Sequence, residues 1–443
     1  MASARRTTPY LHRGGHVISR EAGTQGDQEG RPGPADAAVS RSTFREVFAV
    51  GEFRALWIAQ VLSVAGDQLA RVALTLLVFD QTHSALLAAI TFAASIVPTF
   101  VGGLTLSGLA DRLPRRRVMI ACDLSRAALV AIMALPALPL AARVGLLFIV
   151  TMISAPFTSA RAALYPDILS GDRYVLGTAV TLTTLQFSQV VGFAAGGAIA
   201  GFFGARTSLL ADAATFILSA LITRLWVHAR PAAQSAPHPG RLSSSGVMTG
   251  SLSGVITGVR LVFADPRLRT PMLLGWLAAF YNIPEGVAAP LGQALGGGDV
   301  AVGLILAAGA LGASFGAVLF SRLVDPARRL RWMSPLAIAS CAVLILFAFR
   351  LALPAALAIL TVSGLFDCYQ LAANAAFVSA TPPDQRSQVF GIAQGGMSLG
   401  QGVAMILAGA AAQHFPPAVV IAVSGAMGVI AAGAIKFGDA RPR

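Results

Sequence analysis

Charge is the scarcest property of this chain: only 12% of its 443 residues are Asp, Glu, Lys or Arg, about half the share in a soluble protein. Hydrophobic residues make up 55% of it, and its mean hydropathy is +0.70. So few polar residues cannot cover a water-soluble particle of this size, and the composition predicts a protein of the lipid bilayer. The net charge of +13 does not indicate nucleic-acid binding, because the basic residues lie scattered between apolar stretches.

Residues that carry chemistry are equally sparse. The three cysteines lie far apart without a CxxC pair, and no HExxH motif is present, so neither a metal cluster nor a zinc helix is expected. The single lysine, Lys436, precedes Phe437, which excludes a Walker A loop. Two GxSxG matches, at 312–316 and 396–400, lie inside Ala/Gly/Leu runs, where helix contact is a better explanation than a nucleophile elbow. We expect neither an enzyme nor a cofactor or metal.

Apolar stretches long enough to cross a bilayer recur in two groups of six, separated by a polar segment rich in Pro and Ser. The predicted spans are 55–79, 85–109, 117–139, 144–164, 177–201 and 207–227, then 270–293, 300–324, 332–350, 354–379, 388–412 and 417–436. We therefore predict an all-α membrane protein with 12 transmembrane helices in two pseudo-symmetric six-helix bundles.

The domain organisation follows from these spans. Residues 1–45 are predicted to form a disordered cytoplasmic tail, because they are rich in Arg, Gly and Pro and lack the apolar region of a cleavable signal. The predicted first bundle is 46–228, the cytoplasmic linker 229–269, the second bundle 270–437 and the final tail 438–443.

The arginines predict the orientation. Most of them fall in the tails, the linker and every second loop, whereas the other loops hold only Arg143, Arg206 and Arg350. Because basic residues mark the cytoplasmic side, both termini are expected in the cytoplasm.

Short sequence features of the first half also recur in the second half. The turn 111–117, acidic and then basic, recurs 214 residues later as 325–329, and Pro166-Asp167 recurs 217 residues later as Pro383-Asp384. Parallel six-span repeats with a cavity between them are typical of transporters.

One segment identifies a family. Gly108-Leu109-Ala110-Asp111-Arg112-Leu113-Pro114-Arg115-Arg116-Arg117 resembles the loop signature G-x-L-a-D-r-x-G-R-[KR]-x of the major facilitator superfamily, between spans two and three. Phe53-Arg54-Ala55-Leu56-Trp57, Gly66-Asp67 and Tyr165-Pro166-Asp167 resemble its drug, macrolide and siderophore efflux branch. The resemblance covers about 45–437. It departs at Pro114, where the family has glycine, and in the glycine-rich run 192–201, which lacks the proline of many drug antiporters.

The resemblance implies a gate at the cytoplasmic side, in which Asp111 contacts basic groups and breaks away when the halves rock. The alternative is that the loop arginines only determine topology. The predicted gating residues are Gly108, Asp111, Arg112, Arg115, Arg116, Asp123, Arg126 and Arg161, with Asp325, Arg328 and Arg329 in the second half.

Ionisable residues in mid-span are costly and are therefore functional candidates. Asp67 and Arg71 lie four residues apart in span one, and Glu285 lies at the matching depth of span seven. These three are the predicted proton-coupling residues; a static Asp67–Arg71 ion pair is the alternative. Asp212 ranks lower. The predicted cavity residues are Gln186, Trp276, Tyr281, Asn282 and Asp367, and the predicted helix-packing glycines are Gly192, Gly196, Gly197 and Gly201.

Together these features predict a secondary transporter in a bacterial inner membrane. It would export a small amphipathic compound, such as a drug, an antibiotic or a siderophore-like molecule, by alternating access and proton antiport. The alternatives are an uptake symporter or facilitator of the same fold and a membrane-bound sensor or scaffold. Its expected partners are the bilayer and the small-molecule substrate, not nucleic acid, and the resemblance implies a monomer that uses the proton gradient.

Overall fold

The computed structural model describes residues 43–106, 113–230, 259–382 and 386–439. These residues form helices joined by short loops, and no strand occurs among them. Ten helical segments of this part are long and apolar enough to cross a membrane. The prediction of an all-α membrane protein is confirmed.

The described residues of the first half form eight helices. They are α1 (Phe44–Ala49), α2 (Gly51–Thr82), α3 (Ala85–Ala93), α4 (Val97–Leu106), α5 (Arg115–Met133), α6 (Leu140–Ile168), α7 (Asp172–Phe203) and α8 (Ala205–Trp226). In the second half, a helical stretch at 259–264 precedes the four short helices α9 (Pro266–Trp276), α10 (Ala278–Tyr281), α11 (Ile283–Gly286) and α12 (Ala288–Ala294). It continues with α13 (Gly298–Leu323), α14 (Pro326–Leu344), a 3-10 turn (Ile345–Ala348), α15 (Leu353–Phe366), α16 (Tyr369–Ala380), α17 (Arg386–Ala411) and α18 (Pro417–Asp439).

Two of the twelve predicted spans are not among the ten helical segments that are long and apolar enough to cross a membrane. The third, α5, opens with three arginines and carries Asp123 and Arg126, so it is too polar to qualify alone. The seventh, predicted over 270–293, is divided into α9 to α12. Proline lacks the N–H that continues a helix, and Pro271, Pro284 and Pro290 lie within this stretch.

Prolines in two other predicted spans differ in their effect on helix continuity. The second predicted span divides into α3 and α4 at residues 94–96, and Pro98 lies in the first turn of α4, where its missing N–H costs nothing. In contrast, α6 continues through Pro156. Neighbouring helices and local adjustment can satisfy the carbonyl that such a proline leaves free.

The two halves meet along two pairs of helices, which together form the joint between them. α7 packs against α13, and α3 packs against α17. At the closest approach a Cβ added at Gly197 would lie 2.5 Å from Gly303 Cα, so the two backbones touch. Val72, Phe92 and Phe193 of the first half share one apolar core with residues of the second half.

The two ends of the helix bundle differ in charge. The arginine-rich end is where α2 begins, α6 and α8 end, and α9 begins; it carries Arg115, Arg116, Arg230 and Arg267. At the opposite end, side chains connect the two halves. Gln413 Nε2 donates to Ser84 Oγ at 2.9 Å, and Gln293 Nε2 lies 3.5 Å from Asp80 Oδ1.

Candidate transport site

A buried group of charges lies in the first half, where α2, α5 and α8 meet. We call it the charge cluster; its members are Asp67, Asp123, Arg126 and Asp212. Arg126 Nη2 donates to Asp67 Oδ1, and its Nη1 lies 3.8 Å from Asp123 Oδ1. The guanidinium also lies 4.0 Å from the ring centroid of Phe216. One arginine is thus surrounded by three carboxylates.

The carboxylates of the charge cluster differ in exposure and in support. Asp123 and Asp212 are 0% exposed, whereas the side chain of Asp67 is 31% exposed. Asp123 accepts a 2.6 Å hydrogen bond from Ser219 Oγ. Asp212 Oδ2 is buried without a hydrogen-bond partner in the part of the chain that the structure describes. Asp212 reaches α2 only because residue 66 is glycine: a Cβ there would overlap Asp212 Oδ1.

This arrangement corrects two interpretations of the sequence. An Asp67–Arg71 ion pair on one helix was the alternative for these two residues, but Asp67 pairs with Arg126. Arg71 instead donates through Nη2 to Ser95 O at 3.3 Å, a carbonyl in the break between α3 and α4, where helical partners are missing. Asp123 and Arg126 were expected to support the gate and instead lie in the charge cluster.

Arg71 also interacts with the other half. It lies within electrostatic reach of Glu285 on α11 as well as of Asp67. The guanidinium lies 5.5 Å from the ring centroid of Phe92. Two of the three predicted proton-coupling residues, Arg71 and Glu285, therefore interact electrostatically although they lie on different halves.

The second half contains another buried carboxylate besides Glu285. Asp367, between α15 and α16, is within electrostatic reach of Glu285. Its Oδ1 is buried and accepts no hydrogen bond from any described residue. Close by, Gln370 Nε2 donates to Tyr281 OH at 2.8 Å, and Tyr369 OH donates to Leu274 O at 2.9 Å.

The predicted cavity residues fall into different places. Trp276 borders a cavity of about 330 Å³ between α9, α16 and α17. Tyr281 is buried against Tyr369, with ring centroids 6.4 Å apart, and Asn282 is the partly exposed residue between α10 and α11. Gln186 lies exposed on α7, where its Oε1 accepts from Gln189 Nε2 at 3.1 Å, so the structure does not bring it to this cavity.

The glycine run of α7 contacts two partners. Cβ atoms at Gly192 and Gly196 would press on α2, at 2.7 Å from Ala65 O and 3.2 Å from Val72 Cβ. Cβ atoms at Gly197 and Gly201 would press on α13, and the second would lie 2.9 Å from Val300 Cγ2. The run therefore lets one helix touch its own bundle and the other half at once.

The predicted first gating loop is described only in part. Gly108, Asp111 and Arg112 lie outside the described residues, as do the tails 1–42 and 440–443, the linker 231–258 and the repeated turn Pro383-Asp384. Arg115 pairs with Asp167 at 2.5 Å, and Arg116 donates to Arg224 O. Arg161 is buried, 6.0 Å from the ring centroid of Phe157. These contacts join α5, α6 and α8 at the arginine-rich end.

The corresponding segment of the second half is simpler. Asp325 precedes α14, and its backbone carbonyl accepts from Arg328 N at 2.9 Å. Arg329 donates to the last carbonyls of α13, with Nη2 at 2.9 Å from Ser321 O and Nε at 3.0 Å from Val324 O. The turn is therefore held by helix capping.

An ion pair fastens the residues after α8 to the start of α2. Arg230 donates to both oxygens of Glu52, at 2.5 and 2.9 Å, and His228 N donates to the same carboxylate at 2.8 Å. The hydrogen bond and charge of Glu52 raise the pKa of Arg230 above its ordinary value, so this arginine stays charged.

We expect Glu52→Gln to lower the stability of the protein by about 1 kcal/mol, because it removes the charge from a partly buried bidentate pair. The measurement is thermal unfolding of the purified protein in detergent. Glu46→Gln is the matched control: its pair with Arg173 spans 3.6 Å, and both side chains are about half exposed, so it should change nothing. Equal shifts for both variants would contradict the prediction.

Comparison with known proteins decides the family. The sequence model of the Major Facilitator Superfamily matches residues 56–366 and 286–443. The chain belongs to the major facilitator superfamily. It is therefore a multi-pass membrane transporter rather than an enzyme. Superfamily members generally work without a cofactor, and the described residues contain no group of three or more His, Cys, Asp or Glu side chains that could hold a metal ion.

The sequence identity between this chain and individual members of the superfamily is low. The Enterobactin exporter EntS of Shigella boydii serotype 4 (strain Sb227) is 25% identical over 285 residues, which are 62% of this chain and 64% of the exporter. The match thus spans less than two thirds of that relative. A POT family transporter in complex with a thioalcohol-conjugated peptide aligns with a TM-score of 0.68 at 12% identity, over 87% of this chain and 96% of its own. The nucleoside transporter NupG aligns with a TM-score of 0.64 at 15% identity, over 87% and 99%. Both structures share the fold.

Proposed function

We propose that this superfamily member exports a small amphipathic organic compound from the cytoplasm of a bacterium in exchange for protons. The observation that supports the coupling is that Arg71 and Glu285, an oppositely charged pair on the two halves, lie within electrostatic reach of each other. Alternating access separates the halves on one side at a time, so such a pair is made in one state and broken in the other. A carboxylate that loses its arginine inside the membrane gains stability by taking up a proton.

Other observations support the proposed direction of transport. The curated relative is an exporter, and the proposed cargo class, antibiotic, drug or siderophore-like, follows that branch. We place the arginine-rich end and both termini in the cytoplasm, because basic residues mark that side of a membrane protein. The halves then touch at the periplasmic end, and the cavity beside Trp276 lies toward the cytoplasm, where an exporter loads its cargo.

The exchange is tested in proteoliposomes with an acidic lumen and a pH-sensitive dye inside. Adding enterobactin, erythromycin or ethidium outside should release luminal protons as a transported compound enters. Proton movement into the lumen together with the compound would indicate symport, and uptake of the compound without a proton signal would indicate a facilitator; either result contradicts antiport.

Glu285→Gln should abolish the proton release and leave exchange of the compound between the two sides, because the amide cannot carry a proton. Asp172→Asn is the control, since Asp172 is an exposed carboxylate in the first turn of α7 and should retain proton release. A Glu285→Gln variant that still releases protons at the wild-type rate would clear Glu285 of this role.

A further inference from the structure

The cavity between α9, α16 and α17 is walled by uncharged side chains. Its volume of about 330 Å³ lies at the low end of small-molecule sites, which measure roughly 300–1,000 Å³. It is therefore large enough for one ring system but not for a whole drug-sized molecule. The lining residues that matter here are Trp276, Gln370, Asn374, Phe377, Phe390 and Gln394. We call this space the amide pocket.

Three side chains with primary amides, Gln370, Asn374 and Gln394, indicate the polarity of the ligand that the pocket would bind. Asn374 and Gln394 are exposed although they lie on membrane-spanning helices. Exposed amides on such helices are costly in lipid, so they face a water-filled space. Gln370 uses its amide nitrogen on Gly275 O at 3.0 Å and on Tyr281 OH at 2.8 Å, which leaves Oε1 as an acceptor. The amides therefore offer both donors and acceptors.

The aromatic side chains of the pocket are fixed in place. Trp276 Nε1 donates to Ala393 O at 2.9 Å, and a Cβ added at Gly396 would overlap its indole ring. Phe377 and Phe390 pack edge to face with centroids 5.4 Å apart. Rings that are already ordered bind a flat ligand at little cost in conformational entropy.

None of the described residues that line the amide pocket is charged. Arg71, Glu285 and the charge cluster do not line the amide pocket. A charged ligand would lose its hydration there without a counter-ion, which is strongly unfavourable. An uncharged ring that carries hydroxyl or carbonyl groups would instead satisfy both the amides and the aromatic walls.

We propose that the amide pocket binds an uncharged, flat, hydroxyl- or carbonyl-bearing ring of the cargo. The inference rests on the proposed function only in calling the ligand cargo, because binding can be measured without transport. Charged parts of the same molecule would remain outside the pocket, in contact with water.

The test uses Trp276 as its own reporter. In the full chain, Trp57, Trp226 and Trp332 are replaced by Phe, and the fluorescence of Trp276 is titrated with 7-methoxycoumarin, 7-methoxycoumarin-4-acetate and ethidium. We expect saturable quenching by the uncharged coumarin and at least about tenfold weaker binding of the acetate and of ethidium. Removing two amides in Asn374→Leu/Gln394→Leu should weaken coumarin binding by about tenfold.

Thr178→Val is the matched control, because this exposed hydroxyl of α7 bonds only to Tyr174 O of its own helix in the described contacts and lies outside the pocket. It should leave the titration unchanged, and circular dichroism reports whether each variant folds. Equal or tighter binding of the acetate, unchanged binding in the double variant, or no saturable quenching by the coumarin would each overturn the proposal. Quenching without any proton-coupled transport would retain the amide pocket and reject only the antiport function.

Discussion

Arg126→Met should destabilise the first half by about 3–5 kcal/mol, the cost of removing one partner from a buried ion pair. The arginine is 1% exposed and is the group that pairs with Asp67 and approaches Asp123. Without it, three carboxylates share one buried space. The expected result is a large drop in the thermal unfolding temperature of the purified protein in detergent.

Two controls separate charge from packing. Arg143→Met removes an arginine that is 3% exposed, but Arg143 bonds to the backbone carbonyls of Met133, Leu135 and Pro136, so a smaller drop is expected. Adding Asp67→Asn to Arg126→Met removes one uncompensated carboxylate and should restore part of the loss, which a double-mutant cycle quantifies. Equal drops for the two arginine variants without any recovery would show that charge balance is not the cause.

Gly197→Leu should slow transport by roughly 5- to 150-fold, because overpacking costs about 1–3 kcal/mol and the added side chain would meet the backbone of Gly303. The halves could then no longer close at the opposite end. A cysteine at Ala88, which is 0% exposed in the joint, should react faster with a membrane-impermeant thiol reagent in the Gly197→Leu background.

Gly309→Leu provides the comparison for this prediction. Gly309 lies on the same helix as Gly303, and a Cβ there meets nothing within 4 Å. This variant should transport normally and leave the reactivity at position 88 unchanged. A Gly197→Leu protein with wild-type transport would show that close approach of α7 and α13 is not needed for the cycle.

The sequence predicted the helical class because its long apolar stretches are suited only to the lipid bilayer. It could also flag the broken seventh span, since prolines at 284 and 290 are visible without coordinates. What it could not predict is which face of each helix meets which neighbour. Arg71 was the nearest basic residue to Asp67 along the chain, but Arg126 lies closer in space, and only helix packing decides between them.

Asp212 is the member of the charge cluster whose position the sequence did not predict. No arginine or lysine lies within one turn of it on its own helix, so a local search finds no partner and no reason to single it out. A signal was nevertheless present: Gly66 directly precedes Asp67, and a glycine beside an intramembrane carboxylate indicates close approach of another helix. That helix is α8, and the approaching side chain is Asp212.

The polarity of α5 has a consequence for biosynthesis. A charged residue at the centre of a helix opposes its release from the translocon into lipid by about 2.5–3.5 kcal/mol, and α5 carries Asp123 and Arg126. The ribosome makes α2 earlier, so Asp67 is already in place to receive Arg126 when α5 emerges. Asp212 arrives three spans later, and the fourth member joins only when synthesis of the first half is nearly complete.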